Sequence, residues 1–229
     1  MMGATTGRSE RDNRMVLREF GPEIWIADGP PVSVFGPLKL PTRMIVVRLG
    51  DGSLWINSPI DASPEEMPSV ARLGEVRHLV APTSLHRWRL GAWKARFPQA
   101  RLWAPPAILS DDPPAAWARD LDQTVMRGNA FLAEVEFYHP QSRTLVFADF
   151  IQNYPPQPHR PLLDALIKIS GAMNGGVPND IKLSFTNKAL ARRSLRKLLS
   201  WDFDNLIVAH GDCVTGGAKA VVERAFRFL

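Results

Sequence analysis

The sequence of 229 residues has a single cysteine and no long apolar run. One cysteine, Cys213, excludes a disulfide within the chain. No segment approaches the roughly 18 consecutive apolar residues that a membrane helix needs. The polar start of the chain also lacks the apolar core of a secretory signal. These absences predict a protein that does not span a membrane and that resides in the reducing cytoplasm.

What the chain does have is enough apolar material for a sizeable core, at 45% hydrophobic residues. Its 20 prolines and 16 glycines are scattered between short apolar runs, which indicates many short elements with tight connections. Residues 1–14 are polar and show no periodicity, so we predict a flexible N-terminal arm there. Residues 15–229 are then predicted to form a single domain.

The formal net charge of +5 would favour anionic partners if the basic residues were clustered. The clearest cluster, Arg192 to Lys197, lies in a segment whose leucines share one helical face. The ordinary interpretation is that these basic residues form the solvent-exposed face of a helix whose leucines pack on the core. The alternative is that they bind nucleic acid. We expect the former, so nucleic acid is not the predicted partner. The sequence does not indicate an oligomeric state.

Short apolar runs alternate with turn and capping signals along the chain. Asp51 and Gly52 predict a tight hairpin turn between two strands. Ser63 and Glu66 form a capping-box pattern that predicts a short helix ending near Gly74. Strands are predicted within residues 23–29, 43–60, 76–82, 100–105, 131–140, 143–150 and 205–212, and helices within 87–97, 113–121, 155–176, 187–200 and 216–229.

Three polar side chains follow the carboxyl ends of apolar strands: His86 after "HLVAP", Asp149 in "TLVFAD" and His210 in "LIVAH". In layered α/β folds the loops at strand ends converge to form sites. Two imidazoles and a carboxylate suit a divalent transition metal that keeps open positions for water. Alternatively, each residue caps a helix or satisfies a backbone group, as such residues commonly do.

The order of these motifs resembles the metallo-β-lactamase-fold hydrolases from about residue 24 to the end of the chain. The resemblance rests on a strand hairpin, a strand followed by the His86 loop and a helix ending in "FP", then "SRTLVFAD" and "LIVAHGD". Within that superfamily the chain looks most like an uncharacterised branch of domains of unknown function with a degenerate metal-binding motif. The resemblance implies a four-layer α/β/β/α sandwich with its site at one edge of the two sheets.

The family signature is His-x-His-x-Asp-His, followed later by a His, a bridging Asp and a final His. With His86 as the last histidine of the signature, the other positions fall on Ala81, Thr83 and Leu85, none of which binds zinc. The first of the family's two ions then keeps at most His139. The second ion keeps His86, Asp149 and His210. The resemblance therefore implies at most one divalent ion, which could be zinc, iron or manganese, or no metal at all.

Two functions remain open on these residues. The first is a metallo-hydrolase that uses a single metal-bound water on an ester, lactone or similar small substrate. The second is a catalytically inactive member of the fold that binds a small molecule or a protein, and Leu85 favours it because the family's aspartate is missing there. Whether the chain is an enzyme is not decided by the sequence.

The residues around the trio have more than one interpretation each. Arg87, Trp88 and Arg89 could grip an anionic or aromatic ligand, although packing of Trp88 in the core is the ordinary expectation. Asp212 is either an outer carboxylate of the metal site or an N-cap. The remaining side chains are expected to be structural or peripheral, namely His78, His159 and Cys213.

Overall fold

The computed structural model describes residues 15–35 and 38–229, so the predicted arm over residues 1–14 lies outside the described residues. The first sheet has six strands in the order β1-β2-β3-β4-β5-β6. Strands β1 to β4 are antiparallel, and β5 and β6 continue the sheet in parallel. The strands are β1 Arg18–Gly21, β2 Ile24–Phe35, β3 Leu38–Arg48, β4 Ser53–Asn57, β5 Glu75–Val80 and β6 Arg101–Trp103.

The second sheet has five strands in the order β11-β10-β9-β8-β7. Its strands are β7 Asp122–Met126, β8 Glu134–His139, β9 Thr144–Phe147, β10 Asn205–Val208 and β11 Val214–Thr215. Strands β9 and β10 are parallel, whereas the other neighbours are antiparallel. Because two parallel strands end at the same edge of a sheet, the residues that follow β9 and β10 come close together.

The described residues form six α-helices: α1 Met67–Ala71, α2 Leu90–Arg96, α3 Pro161–Ser170, α4 Asn179–Leu183, α5 Lys188–Ser200 and α6 Ala218–Ala225. Helices α1 and α2 contribute Val70 and Trp93 to an apolar cluster on the outer face of the first sheet. Helices α5 and α6 contribute Leu198 and Val222 to a cluster on the outer face of the second.

A third apolar cluster lies between the two sheets. It joins Ile45 and Trp55 of the first sheet to Phe137 and Ile207 of the second, all of them buried. The layers therefore follow the order helix, sheet, sheet, helix, and the predicted four-layer α/β/β/α sandwich is confirmed. Burial on both faces explains why β4 is buried along its whole length and carries three consecutive apolar residues, Leu54 to Ile56, instead of alternating.

A tight turn that contains Asp51 and Gly52 joins β3 to β4, but it spans three residues, 50–52, where the sequence predicted a two-residue turn. The φ angle of Gly52 is 80°, a value that residues with a Cβ rarely adopt, and Leu49 N donates to Ser53 O at 2.8 Å. The turn sets the β3–β4 register, which places Asn57 opposite Ile45. The loop that begins at residue 58 is thereby brought to the edge that carries the site.

The predicted helix over residues 113–121 is wrong. The segment forms consecutive turns in which Pro114 O accepts from the backbone N–H groups of Trp117 and Ala118. The paired prolines donate no hydrogen bond, and β7 begins at once at Asp122, which leaves no length for a regular helix. The Trp117 ring packs edge-on against Trp103 in the core between the sheets.

Two predicted helix boundaries also differ from the structure. The backbone N–H of Ser63 donates to Glu66 Oε2 at 2.8 Å, which is one half of the predicted capping box. Residues 64–66 form a turn, however, and α1 begins only at Met67. Helix α6 ends at Ala225 instead of continuing to the last residue.

Candidate metal centre

The three predicted ligands lie on three separate loops at one edge of the sandwich. His86 lies in a single 3-10 turn, Ser84–Arg87, which follows β5 of the first sheet. Asp149 and His210 each lie two residues beyond a parallel strand of the second sheet. The structure brings them together, and one ligand atom from each lies within 4.8 Å of the other two.

Asp149 Oδ1 lies between the two imidazoles. It is 3.4 Å from His86 Nε2 and 3.3 Å from His210 Nε2. Ligand bonds of 2.0 to 2.1 Å at a tetrahedral zinc ion correspond to ligand–ligand separations of about 3.3 to 3.4 Å. The two nitrogen–oxygen separations therefore match a tetrahedral site, and the nitrogen–nitrogen separation is at most 4.8 Å.

The hydrogen bonds of the two Nδ1 atoms set the tautomers of the histidines. His86 Nδ1 lies 2.7 Å from Ser58 Oγ, and the Ser58 hydroxyl donates to Asn57 Oδ1, so Ser58 accepts the proton of Nδ1. His210 Nδ1 donates to the carbonyl of Pro41 at 2.7 Å. In the neutral imidazoles both Nε2 atoms therefore carry a lone pair toward Asp149, which is the usual orientation of metal-binding histidines.

This donor set fits a divalent cation. Two nitrogen lone pairs and a carboxylate oxygen repel one another unless a positive charge lies between them. Without a metal that charge is a proton. Burial would raise the pKa of the Asp149 carboxyl, but the facing imidazoles outweigh burial and hold this pKa well below its usual range. Burial would lower the pKa of His210, but its hydrogen bond to Asp149 outweighs it and raises this pKa overall.

Thr83 orients the second oxygen of the carboxylate. The Thr83 hydroxyl donates to Asp149 Oδ2 at 2.9 Å, and Thr83 Oγ1 accepts from the backbone N–H of Leu85. The side chain is fully buried. Thr83, which cannot bind zinc, thus fixes the rotation of the carboxylate and leaves Oδ1 facing the imidazoles.

Glu134 fixes the backbone that carries Asp149. Its buried carboxyl accepts the N–H groups of Ala148 at 2.5 Å, Asp149 at 2.8 Å and Phe150 at 2.9 Å. Burial, together with the negative charge of Asp149, raises the pKa of Glu134 to about 8. Sequence reasoning did not identify this residue. The sequence signal was weak: Glu134 and Glu136 alternate with apolar residues, as on an exposed strand face, whereas the structure buries both.

A cavity of about 260 Å³ opens directly beside the three ligands. The long β2–β3 hairpin forms one wall, and the segment around the 3-10 turn forms the other. Its apolar lining includes Val32, Leu40, Ile60, Leu85 and Trp88. Core packing of Trp88 is wrong, because 74% of the residue is exposed, at the cavity mouth.

His139 does not join the site, so its assignment as a ligand of a first ion is wrong. It pairs with Thr144 at the start of β9, whereas Asp149 lies beyond the end of that strand. Thr144 and Asp149 are five residue steps apart along this extended segment, which corresponds to roughly 16 Å. The ring is buried, and Nδ1 lies 2.7 Å from Ser142 Oγ.

The other polar candidates also lie apart from the trio. His78 Nδ1 accepts from the indole of Trp103 at 3.2 Å, in agreement with the expected structural role. Within the described ranges, neither His159 nor Asp212 belongs to a group that could hold a metal ion, and both are exposed. Cys213 is partly buried, and burial raises the pKa of its thiol.

The basic cluster on α5 is the solvated face of a packed helix. Ala191, Ser194 and Leu198 are buried on the opposite face. The Lys197 ammonium group donates to the carbonyls of Asp111 and Gln123, so it binds backbone groups of the fold. Among the described residues, no helix is long and apolar enough to cross a membrane.

Comparison with solved structures identifies the fold. A metallo-β-lactamase from Erythrobacter litoralis aligns with a TM-score of 0.59 at 15% identity, over 98% of both chains. The mono-zinc form of the metallo-β-lactamase FIM-1 from Pseudomonas aeruginosa aligns with a TM-score of 0.63 at 9% identity, over 94% of both. The metal-soaked Flv1 flavodiiron core from Synechocystis sp. PCC6803 aligns with a TM-score of 0.66 at 9% identity, over 94% of this chain and 61% of that one.

The chain therefore has the metallo-β-lactamase fold, as the order of its motifs implied. A sequence-family model for a domain of unknown function, DUF4336, matches residues 23–111, which contain His86 but neither Asp149 nor His210. This match is consistent with the expected uncharacterised branch of the superfamily. No curated protein matches the sequence.

Proposed function

We propose that this protein is a metal-dependent hydrolase that holds one divalent ion between His86 Nε2, Asp149 Oδ1 and His210 Nε2. Its substrate is an ester, a lactone or a similar small carbonyl compound. One observation carries the proposal. Three electron-pair donors, each oriented by a second hydrogen bond, converge at the base of a cavity of suitable size for a small molecule.

The ligand set suits zinc, and iron or manganese would also accept it. When bound, such an ion supplies Lewis acidity, which polarises a carbonyl group and lowers the pKa of water. The mono-zinc form named for one of the similar structures supports a single ion in this fold.

The protein's own residues orient the ligands and shape the cavity. Ser58 and the Pro41 carbonyl hold the two imidazoles, and Thr83 holds the carboxylate. The cavity walls keep bulk water away from the reacting group, which strengthens electrostatic interactions there. Among the described cavity-lining residues, Asp149 is the only carboxylate that is not paired with an arginine. Since Asp149 Oδ1 would hold the ion and its pKa lies well below the usual range, the described lining offers no separate carboxylate to accept a proton.

A second candidate is a non-catalytic ligand-binding protein. Leu85, which lines the cavity and is 48% exposed, favours it because this position supplies neither a metal ligand nor a base. The two functions differ in their need for a metal.

Metal analysis separates the two candidates. The protein is purified without chelator, its metal content is measured, and hydrolysis of 4-nitrophenyl esters is assayed beside the triple variant His86→Ala, Asp149→Ala and His210→Ala. We expect about one ion per chain and metal-dependent hydrolysis, both lost in the triple variant. The variant His139→Asn is the matched control, because this buried histidine lies away from the site. A metal-free wild type that also fails to bind added zinc would contradict the proposal.

A further inference from the structure

The mouth of the cavity exposes large apolar side chains. Trp88 is 74% exposed and Leu85 is 48% exposed, and both line the cavity. The opposite wall presents Val32 and Leu40 from the β2–β3 hairpin. Exposed apolar surface of this kind, next to a few converging polar groups, is typical of a small-molecule site. The lining thus provides apolar contact for a hydrocarbon or aromatic group.

The positive charges of the cavity are all paired within the described residues. The guanidinium of Arg89 forms a two-pronged contact with both carboxylate oxygens of Asp61. Arg43 is buried, and its Nε donates to Asp28 Oδ1 at 2.8 Å. Its Nη1 donates to two backbone carbonyls, those of Val208 and Gly211, each at 2.7 Å. Each guanidinium therefore already has a carboxylate partner, which a ligand carboxylate would have to approach or displace.

From this pairing we infer that the cavity selects uncharged, apolar acyl groups, and that the Arg89–Asp61 pair excludes anionic ones. An anionic substrate would either place its charge beside the Asp61 carboxylate or displace that carboxylate from Arg89. Displacement would leave the Asp61 carboxylate unpaired and close to a like charge, which is unfavourable. The inference rests on the proposed function for its reaction, but its charge selectivity is measurable by binding alone.

The kinetic test compares two esters of equal acyl length. These are 4-nitrophenyl pentanoate, which is neutral, and mono-4-nitrophenyl glutarate, which ends in a carboxylate. With the metal-loaded protein we expect kcat/KM to favour the neutral ester by about three- to fivefold, because the effect of a partly exposed ion pair is modest. The variant Asp61→Asn releases Arg89, and we expect it to remove most of this preference. Equal kcat/KM for the two esters in the wild type would overturn the inference.

Two further variants support the interpretation of this experiment. Asp202→Asn is the matched control, because Asp202 pairs with Arg143 on the surface and does not line the cavity. It is expected to keep the wild-type preference. Arg89→Gln removes the cation instead of the anion, so it should keep or increase discrimination against the anionic ester. If Arg89→Gln and Asp61→Asn lowered the preference equally, the assigned role of the pair would be wrong.

A binding measurement distinguishes failure of the inference from failure of the proposed function. Titration calorimetry with the chelator-treated protein compares 4-phenylbutanamide with 4-phenylbutanoate, so that no metal attracts the carboxylate. Tighter binding of the amide, with a smaller difference in Asp61→Asn, supports the inference even if neither ester is hydrolysed. In that case only the proposed reaction fails. Equal or tighter binding of the acid, or binding of neither probe, overturns the inference.

Discussion

His86 and His139 have the same local arrangement at opposite ends of the sandwich. In each, Nδ1 lies 2.7 Å from a serine Oγ, of Ser58 and Ser142 respectively. Each serine in turn donates its proton to a further oxygen, that of Asn57 Oδ1 or Thr144 Oγ1.

The two histidines differ in their surroundings. His86 Nε2 faces Asp149 at a cavity, whereas His139 is buried within the fold. Burial lowers the pKa of His139, which keeps that ring neutral. The comparison teaches that a serine-oriented histidine is not a sign of function by itself. What distinguishes His86 from His139 is a carboxylate that faces its Nε2 atom and a cavity that gives access to it. Four predictions test this distinction.

The largest effect is expected from Asp149→Asn, which removes the charge between the imidazoles but keeps the size of the side chain. Metal affinity should fall by more than about 100-fold, because loss of a ligand exceeds the loss expected for a partner of a ligand. Zinc competition with a chromophoric chelator measures the affinity. His139→Asn, which leaves the trio intact, should retain wild-type affinity. Equal losses in the two variants would erase the distinction between the two histidines.

Metal removal should lower the thermal stability of the protein only while the His86 end of the sandwich, which carries the proposed metal site, is intact. With free metal at about 100 times its dissociation constant, binding contributes about 2.7 kcal/mol to the free energy of unfolding. For a chain of this length that corresponds to a fall in Tm of roughly 5–10 °C on adding chelator. His139→Asn should show the same fall, and Asp149→Asn should show none. A chelator effect that persists in Asp149→Asn would indicate a different metal site.

Substitution of Ser58 and of Ser142 should have different effects, because Ser58 orients a proposed metal ligand whereas Ser142 contributes only to the stability of the fold. Ser58→Ala removes the acceptor of His86 Nδ1 and should weaken metal binding by about 10- to 100-fold. Ser142→Ala removes the equivalent acceptor of His139 and should lower the free energy of unfolding by about 1 kcal/mol without changing metal binding. Metal titration and urea unfolding of both variants give the comparison. Unchanged metal affinity in Ser58→Ala would remove Ser58 from the site.

The smallest expected effect is the pH dependence that His139 contributes. Since burial lowers its pKa in the folded protein, protons bind more readily to the unfolded chain below the ordinary pKa of about 6.5. Stability is therefore fully present above that pH and decreases as the pH falls below it. In His139→Asn the free energy of unfolding, measured in urea at pH 7.5 and 5.5, should change less than in the wild type. An unchanged difference would show that His139 titrates normally.

Much of the fold and the trio of polar residues could be predicted from local patterns. The strands before Asp149 and His210 are continuous apolar runs, and a polar residue directly after such a run is conspicuous. Their convergence follows from the rule that parallel strands end at one edge. The motif order then pointed to the four-layer sandwich. Binding of an ion by these three residues stays a prediction.

The partners of the trio could not be predicted because they depend on tertiary contacts. Thr83 reaches Asp149 across 66 residues of sequence, and Ser58 reaches His86 across 28. No local pattern encodes such a pairing. Glu134 was overlooked since a strand glutamate is ordinarily exposed. The failed helix over residues 113–121 shows the opposite error, in which local alanine and leucine content was given more weight than two prolines and the nearby strand.

The ligands of the proposed site come from both sheets, since His86 follows a strand of the first and Asp149 and His210 follow strands of the second. Arg43 also joins the sheets here, because it extends from β3 to the carbonyls on either side of His210. An ion held by all three ligands would act as a reversible cross-link between the sheets. Removal of the ion would then loosen the contact between the sheets at this edge, and amide hydrogen exchange with and without chelator would measure the change.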